Sequence, residues 1–471
     1  MTNRLIEGQS AIAGELAEAD FGDIRLGRRL GTIAARLTAA PSAAFPQALG
    51  KGADLEAFYR FIRNDAVKFE SLLQPHVTAT VSRCAQDREV LAVHDTSEFR
   101  FGGVRKDLGR LGQSGRGFLG HFTLAVSADD KRDPLGTLGV ETWTRTEKTP
   151  TALRREKQLE YVDVCHLPNE QDRWWRAIAT AEQAVKGRTS LIHVMDSEAD
   201  DYALMSKLVE DHLRWVIRLC YDRALAGVSR SEKTKEVVAR ARVLCRKKVH
   251  LSRRRRQPGG AKRPRTKVRE SRLATLAMSA SAVTFRRPSY CKDSAPSLSV
   301  NIVSVREVNP PRDEEPVEWL LITTEPIDDE QGILKVVDCY RGRWRIEEFF
   351  KALKTGCAFE KRQLDSKQTL LNALGLFVPV AWHLLRLRTA ARSTQTIPAQ
   401  TVLDDDQLLV LRRASRRPLP KRLTAQNALL AIARLGGHLP SNGDPGWQVL
   451  GRGYQDLLMM VAGYRLATGK M

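Results

Sequence analysis

The sequence predicts an α/β fold with a β-rich insertion and helical segments at both ends. Three observations lead there. Strand-like apolar runs alternate with amphipathic helical runs between about 71 and 221, strand-like runs dominate between about 222 and 330, and helical spacing prevails before 70 and after 366. With 471 residues, 42% of them hydrophobic, the chain can bury several cores without covalent staples.

Taken in order, 1–70 reads as short helices. A helix over 24–30 leads into an alanine-rich stretch, a Pro/Gly connection follows, and a second helix covers 55–62. The arginines recur at near-helical spacing, which suits a solvated face or a phosphate-facing one. Phe58 and Tyr59 beside Arg60 and Arg63 favour nucleic-acid contact. From 71 to 221 the expected order is strands at 90–93, 122–126 and 135–140, a helix at 174–185, a strand at 191–195, a helix at 203–209 and a strand at 214–219. The glycine-rich piece 112–117 lacks the Lys-Ser/Thr ending of a phosphate loop and reads as an ordinary loop.

The insertion, 222–330, contains a dense basic block over 246–272 that includes Arg253, Arg254, Arg255 and Arg256. Such a block repels itself without a polyanion, so it is expected to be an arm that orders on DNA. Strands are expected at 273–278, 300–305 and 319–323. Residues 331–365 then carry a helix that returns to the core, and 366–471 is helical. In the last helix, Leu457, Met460, Val461 and Tyr464 fall at a spacing that suits packing on another helix, in the same chain or in a second copy.

Composition narrows the partners. The 76 Lys and Arg exceed the 55 Asp and Glu, giving a net charge of +21 and a pI near 9.9, which favours a polyanion, nucleic acid first. The first twenty residues carry Glu7, Glu15, Glu18 and Asp20 and no continuous apolar core, unlike a signal peptide. The longest apolar stretch, 370–387, is interrupted by Asn372, Pro379 and His383 and reads as a buried helix pair, so no membrane partner is expected. Seven scattered cysteines without paired spacing imply a reduced, cytoplasmic protein without structural zinc; Cys165-His166 is an accidental neighbour pair.

Chemistry concentrates in 340–354. As one α-helix, this stretch puts Tyr340, Arg343, Glu347 and Lys354 within a ~60° stripe, beside a ~100° apolar face of Ile346, Phe349, Leu353 and Phe350. Glu348 then points into water, so Glu347 is the acid held among cations. Two further acids, Asp95 and Asp196, close apolar strand-like runs upstream. Three carboxylates brought together repel unless divalent cations neutralise them.

The spacing Tyr-two-Arg-three-Glu-six-Lys, with strand-borne Asp95 and Asp196 before it, resembles the DDE transposases of bacterial insertion sequences, in particular the Tn-five-type group. Further similar segments are 59–64, 196–200, 319–326 and 431–437, so the resemblance spans nearly the whole chain. It implies a ribonuclease-H-like catalytic core, first part 71–221, interrupted by the 222–330 insertion and completed by 331–365. It also implies a DNA-binding domain in 1–70 and a dimerisation domain in 366–471. Asp95, Asp196 and Glu347 are then the catalytic metal ligands, holding two Mg²⁺, for which Mn²⁺ can substitute.

The implied DNA contacts are Tyr340, Arg343 and Lys354, with Arg218 at the end of its strand and Trp319 against a base turned out of the duplex. Read without the resemblance, Trp319 is an ordinary core residue. A lysine that the best-known relative carries shortly after that arginine is Cys220 here. The implied partners are double-stranded DNA, as terminal inverted repeats and target, and a second copy of the chain in the DNA complex. The implied reaction is cut-and-paste transposition on the DNA of a bacterial nucleoid. Two rivals stay open: a nuclease on the same core, and a catalytically silent DNA-binding regulator.

Overall fold

The computed structural model describes residues 9–50, 52–112, 115–145, 171–227, 232–251, 270–312, 314, 316–392, 396–439, 441 and 445–469. It is a mixed α/β structure in which ten strands form a mixed sheet in the order β2-β3-β1-β5-β6-β10-β9-β8-β7, with β4 paired to β3. Two compact units divide the chain: Met1–Val90, Asp95–Thr189 and Trp344–Met471 form the first, and Leu91–His94 with Ser190–Arg343 the second.

The first unit opens with helices α1 (Gln9–Ala17), α2 (Ile24–Ala39), α3 (Phe45–Leu49), α4 (Ala53–Ile62) and α5 (Phe69–Cys84). Asp23 caps α2 by accepting from Arg25 N at 2.9 Å, which starts the helix where the sequence places it. Strand β1 (Glu89–Phe101) does not stop at Asp95. Continuous burial from Val90 to His94 gives way to alternation, with Ser97, Phe99 and Phe101 turned inward. Strands β2 (Gly109–Arg110), β3 (Arg116–Ser127) and β4 (Pro134–Trp143) follow, β2 and β3 being antiparallel neighbours across the glycine-rich piece. Helix α6 (Asp172–Val185) completes the part before 190.

Phe58 is fully buried, its ring 4.5 Å from that of Phe45. It belongs to the core, and only Tyr59 of the expected aromatic pair reaches the surface. A polar knot ties α1 to α5. Glu15 accepts from Arg83 at 2.5 Å and lies 2.8 Å from His76 Nδ1, while Arg83 also donates to Leu135 O and stacks 4.1 Å over Trp382.

The stretch expected to be a helix pair is one helix, α11 (Lys367–Ala391), with Pro379 inside it. Its polar residues have partners that remove the reason for a break: Asn372 Nδ2 donates to Ile62 O at 3.0 Å and Val67 O at 2.8 Å. By length and composition α11 could cross a membrane, but 89% of its apolar window is buried inside the fold. Helices α12 (Asp405–Ala414), α13 (Ala425–Leu435) and α14 (Trp447–Ala467) follow. α13 and α14 approach closely at glycines: a Cβ on Gly453 would meet Ile432 O at 1.8 Å and one on Gly436 would meet Val449 O at 1.9 Å. On α14, Leu457 and Val461 are buried whereas Met460 is partly exposed.

In the second unit, β5 (Ser190–Met195) and β6 (Arg214–Arg218) are parallel and joined through α7 (Tyr202–Glu210). After α8 (Thr234–Arg240), strands β7 (Cys245–Leu251), β8 (Arg272–Arg286), β9 (Ser297–Val308) and β10 (Glu318–Thr323) pair antiparallel, and β10 then pairs antiparallel with β6. The first residues of the expected basic arm, from Arg246 to Leu251, are strand β7; Arg253, Arg254, Arg255 and Arg256 lie outside the described residues.

The 340–354 stretch is not one helix. Helix α9 (Glu330–Gly342) ends at Arg343, α10 (Trp344–Lys351) follows, and Ala352–Gly356 is a π-helical turn. Its wider turn changes the phase of Lys354 relative to α10. Glu348 is buried at 7% exposure instead of pointing into water. Arg345 at 2.9 Å and Arg392 at 3.1 Å neutralise it there, while Trp344 takes the exposed position.

Candidate functional site

In the second unit, strand register gathers one set of predicted residues. Met195 pairs with Ile217, so Asp196 just beyond β5 and Arg218 at the end of β6 emerge from neighbouring strands at the same edge. Arg218 pairs in turn with Leu321, which brings Trp319 of β10 to that edge. Tyr340 of α9 closes the group. Its ring centroid lies 5.7 Å from Trp319, edge to face; the Arg343 guanidinium lies 6.0 Å from it, and the charge of Arg218 bears on its hydroxyl.

Tyr340 is 6% exposed, and burial pushes its pKa up. Arg343 and Arg218 pull it down and Asp196 adds to the rise. The phenol therefore keeps its proton at neutral pH and can donate to an anionic oxygen. Asp196 is held by one capping bond, its carboxylate accepting from Glu198 N at 2.9 Å.

Asp200, four residues on, has a different task. It is 3% exposed, accepts from Cys220 N at 2.6 Å and Tyr221 N at 2.9 Å, and is ion-paired with Arg223. It fixes the chain leaving β6, next to Arg218. On the neighbouring strands β1 and β5, His94 Nε2 and His193 Nδ1 lie 2.9 Å apart, both fully buried.

The first unit holds Asp95, Glu347 and Lys354. Asp95 is half-buried, and its Oδ1 accepts from Thr96 N at 2.8 Å. Thr96 is pinned from behind: Arg173 Nε donates to its Oγ1 at 3.1 Å, leaving the hydroxyl hydrogen for His121 Nδ1 at 2.9 Å. Burial lowers the His121 pKa to about 3, with Arg173 and Arg176 adding to it, so this ring stays neutral. Glu347 is half-buried on α10.

Lys354 donates to the Glu98 carbonyl, sits 3.8 Å from Glu360 and lies 5.1 Å over the Phe99 ring. Burial lowers its pKa; Glu360 and Glu98 act against that and Arg100 with it. Arg60 is exposed on α4, and Arg63 is exposed in an ion pair with Asp365 at 3.1 Å, its guanidinium 5.4 Å from the Tyr59 ring.

Asp196, Arg218, Trp319, Tyr340 and Arg343 are thus brought together within one unit, and Asp95, Glu347 and Lys354 belong to the other. Among the described residues no group of three or more His, Cys, Asp or Glu side chains is gathered to hold a metal ion. The chemistry of the three acids, half-buried carboxylates offering only oxygen, suits a hard divalent cation. Sequence reasoning missed Thr96, His121, Arg173 and Glu360. Only Thr96 had a local signal, as the residue after Asp95.

Two family models match the chain. Residues 8–67 match the one described as Transposase DNA-binding, and residues 162–377 match Transposase DDE domain. A solved structure described as a cryo-EM structure of a piggyBac transposase synaptic complex with hairpin DNA is similar over 83% of this chain and 75% of that one, at 9% identity and a TM-score of 0.37.

Proposed function

We propose, for a chain that carries a transposase DNA-binding domain and a DDE transposase domain, that it catalyses cut-and-paste DNA transposition: metal-dependent cleavage at element ends, then strand transfer into target DNA. One observation carries this reading. Asp196, Arg218, Trp319 and Arg343 surround a buried Tyr340, so an acid, two cations, a phenol donor and a stacking ring serve one edge of the sheet.

In this proposal Asp95, Asp196 and Glu347 hold two Mg²⁺ or Mn²⁺. When bound, such a pair supplies activation of the attacking oxygen and charge stabilisation at the leaving 3′ oxygen. The chain's own residues do the rest. Arg218 and Arg343 neutralise phosphate as planar forks, and Lys354 does so as a compact charge. The Tyr340 hydroxyl donates to a phosphate oxygen. Trp319 offers its face to an unstacked base.

The strand and helix order β1, β3, β4, α6, β5, α7, β6 supports a ribonuclease-H-like core, and β7 to β10 supply its insertion. The Tyr-Arg-Glu-Lys spacing supports the Tn-five-type group of bacterial insertion sequences. A homodimer paired through the C-terminal helices on nucleoid DNA completes the reading. The test is an assay with a 3′-hydroxyl donor end, a supercoiled target and Mg²⁺. Joined product is expected; cleavage without joining indicates a nuclease, and binding without cleavage a silent regulator.

A further inference from the structure

The connection between α12 and α13 carries a charge imbalance that the site above does not use. Between Asp406 and Asp444 the sequence has seven Lys or Arg and no Asp or Glu. Five of the seven, Arg413, Arg416, Arg417, Lys421 and Arg422, fall within 413–422; all five are exposed, and none of them forms an ion pair among the described residues. Elsewhere on this surface exposed cations do have acids beside them, as Arg63 has Asp365 and Arg306 has Glu318.

The loop is nonetheless built. Arg412 folds it back on the helix that launches it, donating to Pro420 O and Lys421 O, both at 2.8 Å. Its far end is anchored by Leu423, which is 3% exposed, and is stitched to the preceding segment by Ala399 N to Leu423 O and Ala425 N to Ile397 O, both 2.8 Å. Pro418 and Pro420 restrict the backbone between these anchors. Like charges held on an ordered loop repel one another with no internal relief, and a polyanion supplies that relief by exchanging its counterions for them.

We propose that 413–422, the end of α12 and the loop that follows it, is a second, sequence-independent docking surface for the phosphate backbone of duplex DNA. It lies beyond both matched ranges, 8–67 and 162–377. Guanidinium forks suit phosphate oxygens, and four of the five cations are arginines. A lipid surface would call for exposed apolar anchors as well. Here Leu423 is buried and Leu419 half-buried. The inference rests on DNA being the partner in the proposed function, and it is independent of the catalytic acids.

The test uses the full chain with Arg416, Arg417, Lys421 and Arg422 all changed to Ala. Its affinity for a random-sequence duplex is titrated over a series of salt concentrations. The expected result is weaker binding and a slope of log K against log salt shallower by roughly 0.9 for each phosphate that the variant no longer neutralises. The charge-keeping variant, with the three arginines changed to Lys, should retain the slope. An unchanged slope in an alanine variant that melts like the parent overturns the proposal. So does a loss confined to vesicles containing phosphatidylserine. Cleavage by Glu347→Gln tests the proposed function separately: undiminished cleavage overturns the catalytic assignment and leaves the docking surface untouched.

Discussion

The Tyr340 cluster and the Glu15 knot each set an acid and arginine beside a tryptophan, and they put them to different uses. In the knot every charge is closed off: Glu15 takes His76 and Arg83, and Arg83 is also occupied by Leu135 O and the Trp382 face. Around Tyr340 two arginines act against one aspartate, beside a phenol that keeps its proton. A closed set stabilises the fold. A phenol donor and two guanidinium forks gathered at a strand edge suit an anionic oxygen.

Substitutions can break this contrast. Glu347→Gln should reduce cleavage by about a thousandfold or more, the order expected for a group acting on the transition state, while duplex affinity measured by anisotropy stays near parental. Glu15→Ala should do the reverse. Leaving Arg83 and His76 buried without their acid should cost about 3–5 kcal/mol, read as a lower unfolding midpoint in urea. Trp319→Ala should weaken binding of a substrate with an unpaired end base by ~1–3 kcal/mol, leaving fully paired duplex binding unaffected.

Two pH effects are smaller and sharpen the comparison. At Glu15 burial alone raises the pKa, but the bonds and charges of His76 and Arg83 outweigh it and the net shift is downward from 4.5. The stability this supplies is present above the unfolded value and is lost as pH falls through the folded one, so Glu15→Gln should flatten the acid limb of an unfolding profile. Lys354 is lowered by burial and partly restored by Glu360. Its positive charge is therefore lost at lower pH than an ordinary lysine's. Glu360→Gln should move the alkaline fall-off of DNA binding to lower pH still, and an unmoved limb would show that Lys354 does not carry it.

Element identity was legible where one periodicity ruled. The strands over 191–195 and 214–219 and the helix at 174–185 all stand close to where the sequence puts them. Asp196 does end its strand. Asp95 does not, because beyond it the apolar run becomes alternation, a pattern that a search for continuous burial overlooks.

Glu348 was misplaced because helical phase knows nothing of Arg392, a cation 44 residues away that makes an interior position habitable. Pro379 looked like a break because its neighbours' polar partners lie on distant segments. The π-helical turn at Ala352–Gly356 has no compositional mark. Of the candidate site, the group around Tyr340 came from a resemblance in spacing, and periodicity alone would have left Trp319 in the core. The supports Thr96, His121 and Arg173 converge only through β1, β3 and α6, which no local pattern reveals.

Helix α11 has a consequence for biosynthesis. A 25-residue apolar helix leaving the ribosome is a substrate for membrane insertion machinery as well as for folding. Its neighbours α1, α5 and β4 are all encoded before it, so most of the groove it fills has been translated by the time it emerges. The gene order itself shelters the greasiest part of the nascent chain.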